Sequence, residues 1–228
     1  MKFGVVVFPG SNCDHDMIYT LASIHHHKVV EIWHKDVDLQ GVDGVVLPGG
    51  FSYGDYLRSG ALAKFSPIME KIIDFANAGG FVLGICNGFQ ILCETGLLPG
   101  ALLPNTNQRF ICKNVNILPI NYNTIVTSEI PREMVLKIPI AHGEGRYYAD
   151  DDTIRNLRLN NQIVFKYATV NGDISKAANP NGSVENIAGI CNEKKNVFGM
   201  MPHPERAADD ELGNTDGNLI FKSIFKNL

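Results

Sequence analysis

Short apolar runs and longer amphipathic stretches take turns along the first half of the chain. Residues 2–8, 29–33, 44–47 and 81–85 are rich in Val, Ile, Leu and Phe, a pattern that predicts short buried strands. Between them, residues 13–27 place apolar side chains at helical spacing. Residues 67–78 do the same, with Pro67 in the first turn and Gly79-Gly80 past the end, which is ordinary helix punctuation. Phe89, Ile91, Leu92 and Thr95 predict another helix, running from Asn87 and stopping at Gly96. Strands and helices alternating in this way imply parallel pairing through right-handed crossovers, with helices on both faces.

The second half is richer in strands. Residues 114–119, 124–127, 137–141 and 162–168 are predicted as strands, and residues 187–191 and 197–201 flank Glu193-Lys194-Lys195-Asn196 as a hairpin. Asp150-Asp151-Asp152 reads as the acidic start of a helix, and a last helix spans residues 216–227. The expected fold class is α/β, an open, mostly parallel, doubly wound sheet with extra antiparallel strands in the C-terminal half. No internal repeat or low-complexity segment divides the pattern, so residues 1–228 are expected to form one domain.

Composition narrows the function classes. A formal charge of -4, with 45% hydrophobic and 19% charged residues, argues against non-specific binding to nucleic acid or to an anionic membrane. No apolar run reaches the ~18 residues of a membrane span, and MKFGVVVFPGSNCD enters a strand directly, without the features of a signal peptide. The 5 cysteines are odd in number, scattered, and free of C-x-x-C spacing. Neither a disulfide framework nor a metal site is expected, and a reduced, cytoplasmic protein is. Asn181-Gly182-Ser183 matches a glycosylation acceptor but reads better as a turn.

In an open parallel sheet, function gathers at the carboxyl ends of strands. Pro48-Gly49-Gly50, Cys86 and the segment after Met201 all occupy such ends. Gly84-Ile85-Cys86-Asn87-Gly88 places a cysteine where the predicted strand turns sharply into a helix. Such an elbow lifts its side chain clear of the sheet, and the flanking glycines permit the close approach of strand and helix. The helix start favours a thiolate and offers free N–H groups to a developing oxyanion. Read alone, Gly-x-Cys-x-Gly fits a buried structural cysteine equally well.

A nucleophilic cysteine needs a base, and the base an orienting group. Of the 7 histidines, His25, His26 and His27 fall at a predicted helix C-terminus, where they suit the helix dipole. His15 and His34 lack a setting for chemistry. His203 lies in Met201-Pro202-His203-Pro204-Glu205, where the prolines hold an extended backbone and Glu205 projects to the same side as the imidazole. His142, in Ala-His-Gly-Glu-Gly-Arg-Tyr, belongs to a glycine-rich loop suited to contact with a substrate or partner.

Gly-x-Cys-x-Gly-x-Gln followed far downstream by His-Pro-Glu resembles the signature of class I glutamine amidotransferases. Within that class the chain is similar to the glutaminase subunits of phosphoribosylformylglycinamidine synthases, enzymes of purine biosynthesis. The matching segments are FPGSNCD from Phe8, GGFSYGDYLRSGALA from Gly49, GICNGFQIL from Gly84, PIAHGEGRY from Pro139, PNGS from Pro180 and GMMPHPER from Gly199. One departure is Lys113 after Cys112, where the family more often has arginine; the charge is kept, but a bidentate contact is not.

The resemblance implies that Cys86 attacks the side-chain amide of L-glutamine, with His203 as base and then acid and Glu205 as its partner. It implies backbone N–H donors at Gly50 and Asn87, and substrate contacts from Gln90, Gly49, Phe51 and His142. A glutamyl thioester forms as ammonia leaves, and water releases glutamate. The chain has no G-x-x-x-x-G-K-[ST] loop and no spare domain for a second substrate, so the acceptor chemistry is expected in a separate synthetase. The resemblance places ATP and Mg on that partner, with no cofactor in this chain, and adds a small third subunit. The loop from Gly50 to Tyr56 reads as a substrate rim or docking surface. Three other readings remain open: a glutaminase feeding another synthetase, a cysteine hydrolase of the same architecture, and a non-catalytic scaffold.

Overall fold

The apolar runs of the first half pair in parallel, and the order in which they do so brings the candidate residues together. The computed structural model describes residues 1–228. Its main sheet has 9 strands, of which β2 (Lys28–Trp33), β1 (Lys2–Val7), β3 (Gly44–Leu47), β4 (Phe81–Ile85) and β11 (Val197–Met200) form the parallel part, in that order. The sheet continues antiparallel through β10 (Ile187–Cys191), β9 (Ile163–Ala168), β6 (Ile111–Pro119) and β7 (Leu136–His142). Every residue of β3, β4 and β11 is buried, as strands covered on both faces must be. Leu47 pairs with Gly84 and Met200 with Ile85, so these three strands end at one level of the sheet.

The helices are α1 (Asp14–Tyr19), α2 (Pro67–Asn77), α3 (Asn87–Glu94), α4 (Asp151–Leu159) and α5 (Asn218–Asn227). Asp150 caps α4, its carboxylate accepting from the Thr153 N–H at 2.8 Å, which fits the acidic start expected there. The first helix is shorter than residues 13–27: α1 passes into a π-helical turn, Thr20–Ile24, and the chain leaves it through His26 at φ 56°. The histidine run does not serve the helix dipole. His25 packs on Phe221 and Phe225, and His27 on Phe225 and Phe3. Burial pushes the His25 imidazole down to about 4, so it is uncharged at neutral pH.

Residues 124–127 form turns and bends rather than the expected strand. The Thr124 and Thr127 hydroxyls bond each other at 2.7 Å, Thr127 Oγ1 donates to the Asn121 carbonyl at 2.7 Å, and the Thr127 N–H closes on Thr124 at 3.2 Å. Local hydroxyl bonding of this kind competes with a ladder. A two-stranded sheet, β5 (Ala101–Leu103) with β8 (Arg146–Tyr148), was not evident from the sequence. Asn181-Gly182-Ser183 is the turn expected of it. Asn181 is buried, donates to the Gly145 carbonyl at 2.8 Å and accepts from the Ser183 N–H at 3.0 Å.

Candidate active site

The elbow at Cys86 is built by close packing. Cys86 has φ 50° and ψ -103°, a strained conformation for a residue with a Cβ. Its N–H bonds the Met200 carbonyl at 2.8 Å, and its carbonyl accepts from the Gln90 N–H at 3.1 Å, so the corner is tied to both β11 and α3. A Cβ at Gly84 would lie 2.7 Å from the Gly88 backbone, and one at Gly88 would overlap the Leu47 carbonyl oxygen. Only glycine lets α3 start so close to β3 and β4. The thiol lies 3.8 Å from the Ala141 carbonyl and is buried.

His203 follows β11, its N–H bonded to the Pro139 carbonyl at 2.8 Å. The imidazole is buried and its Nδ1 lies 2.6 Å from Glu205 Oε1, while Nε2 has no hydrogen-bond partner. Burial alone would lower the His203 pKa, but the charge of the Glu205 carboxylate and then that of the Cys86 sulfur outweigh it and raise the value above that of an ordinary imidazole. Gly49 separates the partners. A Cβ there would lie 2.6 Å from His203 Cε1 and 3.4 Å from Cys86 Cβ, so a side chain at Gly49 would push the imidazole away from the thiol. The ends of β3, β4 and β11 thus bring Gly49, Cys86, His203 and Glu205 into one buried group. Such a group can pass a proton from sulfur to Nε2 and on to a leaving atom.

Gly50 has φ 126°, and a Cβ on it would lie 2.7 Å from the Asn12 nitrogen. Asn87 ties the loop after Gly50 to the head of α3: its Oδ1 accepts from the Ser52 N–H at 3.1 Å, and its Nδ2 donates to Gln90 Oε1 at 2.9 Å and to Asp55 at 3.3 Å. Gln90 in turn donates to the Glu144 carbonyl at 2.6 Å. Phe51 is exposed on the rim, where it stacks with Phe110 at 6.3 Å. The two rings line a cavity of about 140 Å³ that also touches Cys13, Gly50, Ala141 and Arg206. Clefts of about 590 and 780 Å³ lie elsewhere on the surface, and neither contains Cys86, His203 or Glu205.

His142 is buried beside this group. Asn105 fixes its tautomer: Nδ2 of the amide donates to the Arg109 and His142 carbonyls, leaving Oδ1 to accept from His142 Nδ1 at 3.1 Å. Nε2 is then an unprotonated acceptor without a partner. Burial and the nearby His203 cation push His142 down to about 4, so it stays neutral.

The chain matches the family of CobB/CobQ-like glutamine amidotransferase domains over residues 1–218. It belongs to this family. A relative from Koribacter versatilis, a phosphoribosylformylglycinamidine synthase subunit PurQ, is 57% identical over 98% of the chain and 97% of the relative. Another PurQ, from Synechocystis, is also 57% identical, over 97% of the chain and 99% of the relative. Among solved structures, that of PurLQS from Thermotoga maritima contains a chain 43% identical with a TM-score of 0.87, covering 99% of this chain and 97% of that one. A glutamine amidotransferase from Thermotoga maritima, 16% identical with a TM-score of 0.57, shares the fold.

Two features of this buried group were not evident in the sequence. Cys13, at the head of α1, lies against Gly49 and accepts from Arg206 Nη2 at 3.0 Å, while Arg206 Nε donates to Asp16 at 2.9 Å. Burial pushes the Cys13 thiol up to about 12, with Arg206 opposing it in part, which leaves Cys13 a poor nucleophile beside Cys86. The second is Asn105, which sets the tautomer of His142. The glycine-rich spacing around His142 signals a loop but gives no hint of the amide that orients the ring.

Proposed function

We propose that this amidotransferase is a glutaminase subunit that hydrolyses L-glutamine to glutamate and ammonia. It hands the ammonia to an ATP-dependent synthetase that converts formylglycinamide ribonucleotide to formylglycinamidine ribonucleotide in cytoplasmic purine biosynthesis. One observation carries the reading: the strained Cys86 elbow faces a buried His203–Glu205 pair across Gly49. Similarity to PurQ subunits over nearly the whole chain supports the choice of synthetase.

In this mechanism His203 Nε2 already holds the Cys86 proton when the thiolate attacks the amide carbon of glutamine. Negative charge develops on the amide oxygen, which the backbone N–H groups of Gly50 and Asn87 receive. Glu205 holds the imidazolium until it gives its proton to the departing nitrogen, which leaves as ammonia and yields a glutamyl thioester. His203 then draws a proton from water, hydroxide oxygen adds to the thioester carbon, and glutamate leaves as the thiol re-forms. Gly49, Gln90, His142 and Phe51 shape the pocket around the substrate.

Ammonia protonates in bulk water, so its transfer requires a docked partner that holds ATP and Mg. A small third subunit completes the assembly. The loop after Gly50 supports docking at the rim: Phe51, Tyr56 and Leu57 are exposed, as are Phe65 and Phe110. The test is Cys86→Ala in the reconstituted complex. Glutamate release should vanish while synthesis from added ammonia persists; release of glutamate by a folded Cys86→Ala protein would refute the assignment.

A further inference from the structure

Cys86 and His203 act on the amide end of glutamine, whereas the other end carries an α-ammonium that needs its own recognition. We propose that Asp55 and Glu144 form the subsite for this α-ammonium, an inference that rests on the glutaminase reading. Asp55 comes from the loop after Gly50, and Glu144 from the turn between β7 and β8. They converge over the face of α3 that carries Asn87 and Gln90. Asp55 Oδ1 accepts from Asn87 Nδ2 at 3.3 Å, Gln90 Nε2 donates to the Glu144 carbonyl at 2.6 Å, and the Ser59 N–H donates to Glu144 Oε2 at 3.3 Å.

Neither carboxylate belongs to an ion pair. The neighbouring cation, Arg58, is already committed to Glu94 through two bonds of 2.6 Å. Burial first, and then the charge of Glu144, raise the Asp55 carboxyl above the usual carboxylate range. Two half-buried carboxylates without a cation are stabilised when one arrives. No third acidic, histidine or cysteine ligand joins them to make a metal-binding group, so a small organic cation fits better than a divalent metal ion.

Independent of the acids, two buried polar atoms near the head of α3 lack partners. His203 Nε2 is fully enclosed and unbonded at the nucleophile, and Ser52 Oγ is buried and unbonded on the loop that Asn87 fastens to α3. Cys86 and Gln90 are four residues apart, one helical turn of about 5–6 Å. That separation matches the span from the amide carbon of glutamine to its α-nitrogen. With sulfur at the amide carbon, the α-ammonium falls beside Gln90, where the two carboxylates meet.

The test compares L-glutamine with 4-carbamoylbutanoate, the same amide without the amino group. Ammonia release is measured on the full chain with its synthetase partner and that partner's substrates present. Wild type should favour L-glutamine by about 100-fold in kcat/KM, and Asp55→Asn or Glu144→Gln should each lower kcat/KM for L-glutamine about 10- to 100-fold, mainly through KM. Turnover of 4-carbamoylbutanoate should change by no more than about threefold, since it makes no contact with the pair. Equal losses on both substrates, or an unchanged preference in both variants, overturn the subsite and leave the glutaminase reading intact. Should the variants fail to fold, wild type alone decides: indifference to the amino group overturns the proposal. A wild-type complex that hydrolyses neither amide refutes the glutaminase reading and the subsite with it.

Discussion

A cysteine held at φ 50° is strained, and at Cys86 the strain sets the thiol off the sheet end beside the His203 imidazole. The two buried histidines there differ in charge because their partners differ. His203 has a carboxylate at 2.6 Å and is raised; His142 has only the Asn105 amide and is lowered. His203→Ala should therefore reduce glutamate release by about 100-fold or more, the usual loss with a general base. His142→Ala should cost less, because a neutral acceptor can position a substrate but does not carry the proton. Steady-state glutaminase kinetics of both variants check the order; near-wild-type turnover in His203→Ala with loss in His142→Ala would reverse the roles.

At the scale of elements, the three strand ends were legible and the contacts among loops were not. Gly84, Cys86 and Gly88 announce the elbow because each glycine sits where a Cβ has no room, and His-Pro-Glu announces a fixed imidazole. Asp55, Asn105 and Arg206 gave no comparable signal, since their partners Glu144, His142 and Cys13 come from other parts of the chain. The threonines of residues 124–127 looked like a strand because β-branching is all that a sequence displays; their hydroxyl bonds belong to the folded turn.

Packing at two element contacts yields predictions about stability. Gly88→Ala forces a methyl group into the Leu47 carbonyl, and separating α3 from β3 should cost about 3 kcal/mol or more, read as a lower denaturant midpoint. His25, wedged between the end of the first helix and α5, is pushed by burial from the ordinary imidazole value of 6.5 down to about 4. Between these pH values the unfolded chain binds the extra proton, so the contribution of neutral His25 is present above pH 6.5 and is lost as pH falls toward about 4. Denaturation at several pH values should show a shallower acid loss in His25→Phe than in wild type. An identical pH dependence in the two proteins would show that His25 does not contribute to acid stability.

At the scale of the whole molecule, the parallel half of the sheet carries Cys86 and His203 at its strand ends, and the antiparallel half adds Ala141, His142 and the turn with Glu144 beside them. The exposed rim around Phe51 and Phe110 leads into the small cavity beside Gly50 and Cys13. Docking of the synthetase on this rim should raise glutamine turnover, and more so when ATP and the ribonucleotide acceptor occupy it. A reorientation at Gly49-Gly50, which glycine permits, would be the route of that coupling. Glutamate release at saturating glutamine, with and without the partner, checks this, and equal rates would remove the coupling.

The proposed reaction runs through a covalent glutamyl intermediate on the sulfur of Cys86. Acid quenching during turnover of L-glutamine, followed by peptide mass analysis, traps that intermediate. A glutamyl thioester should appear on the peptide containing Cys86 and none on that containing Cys13. Glutamate release with no acylated cysteine, or with the glutamyl group on Cys13, would contradict it.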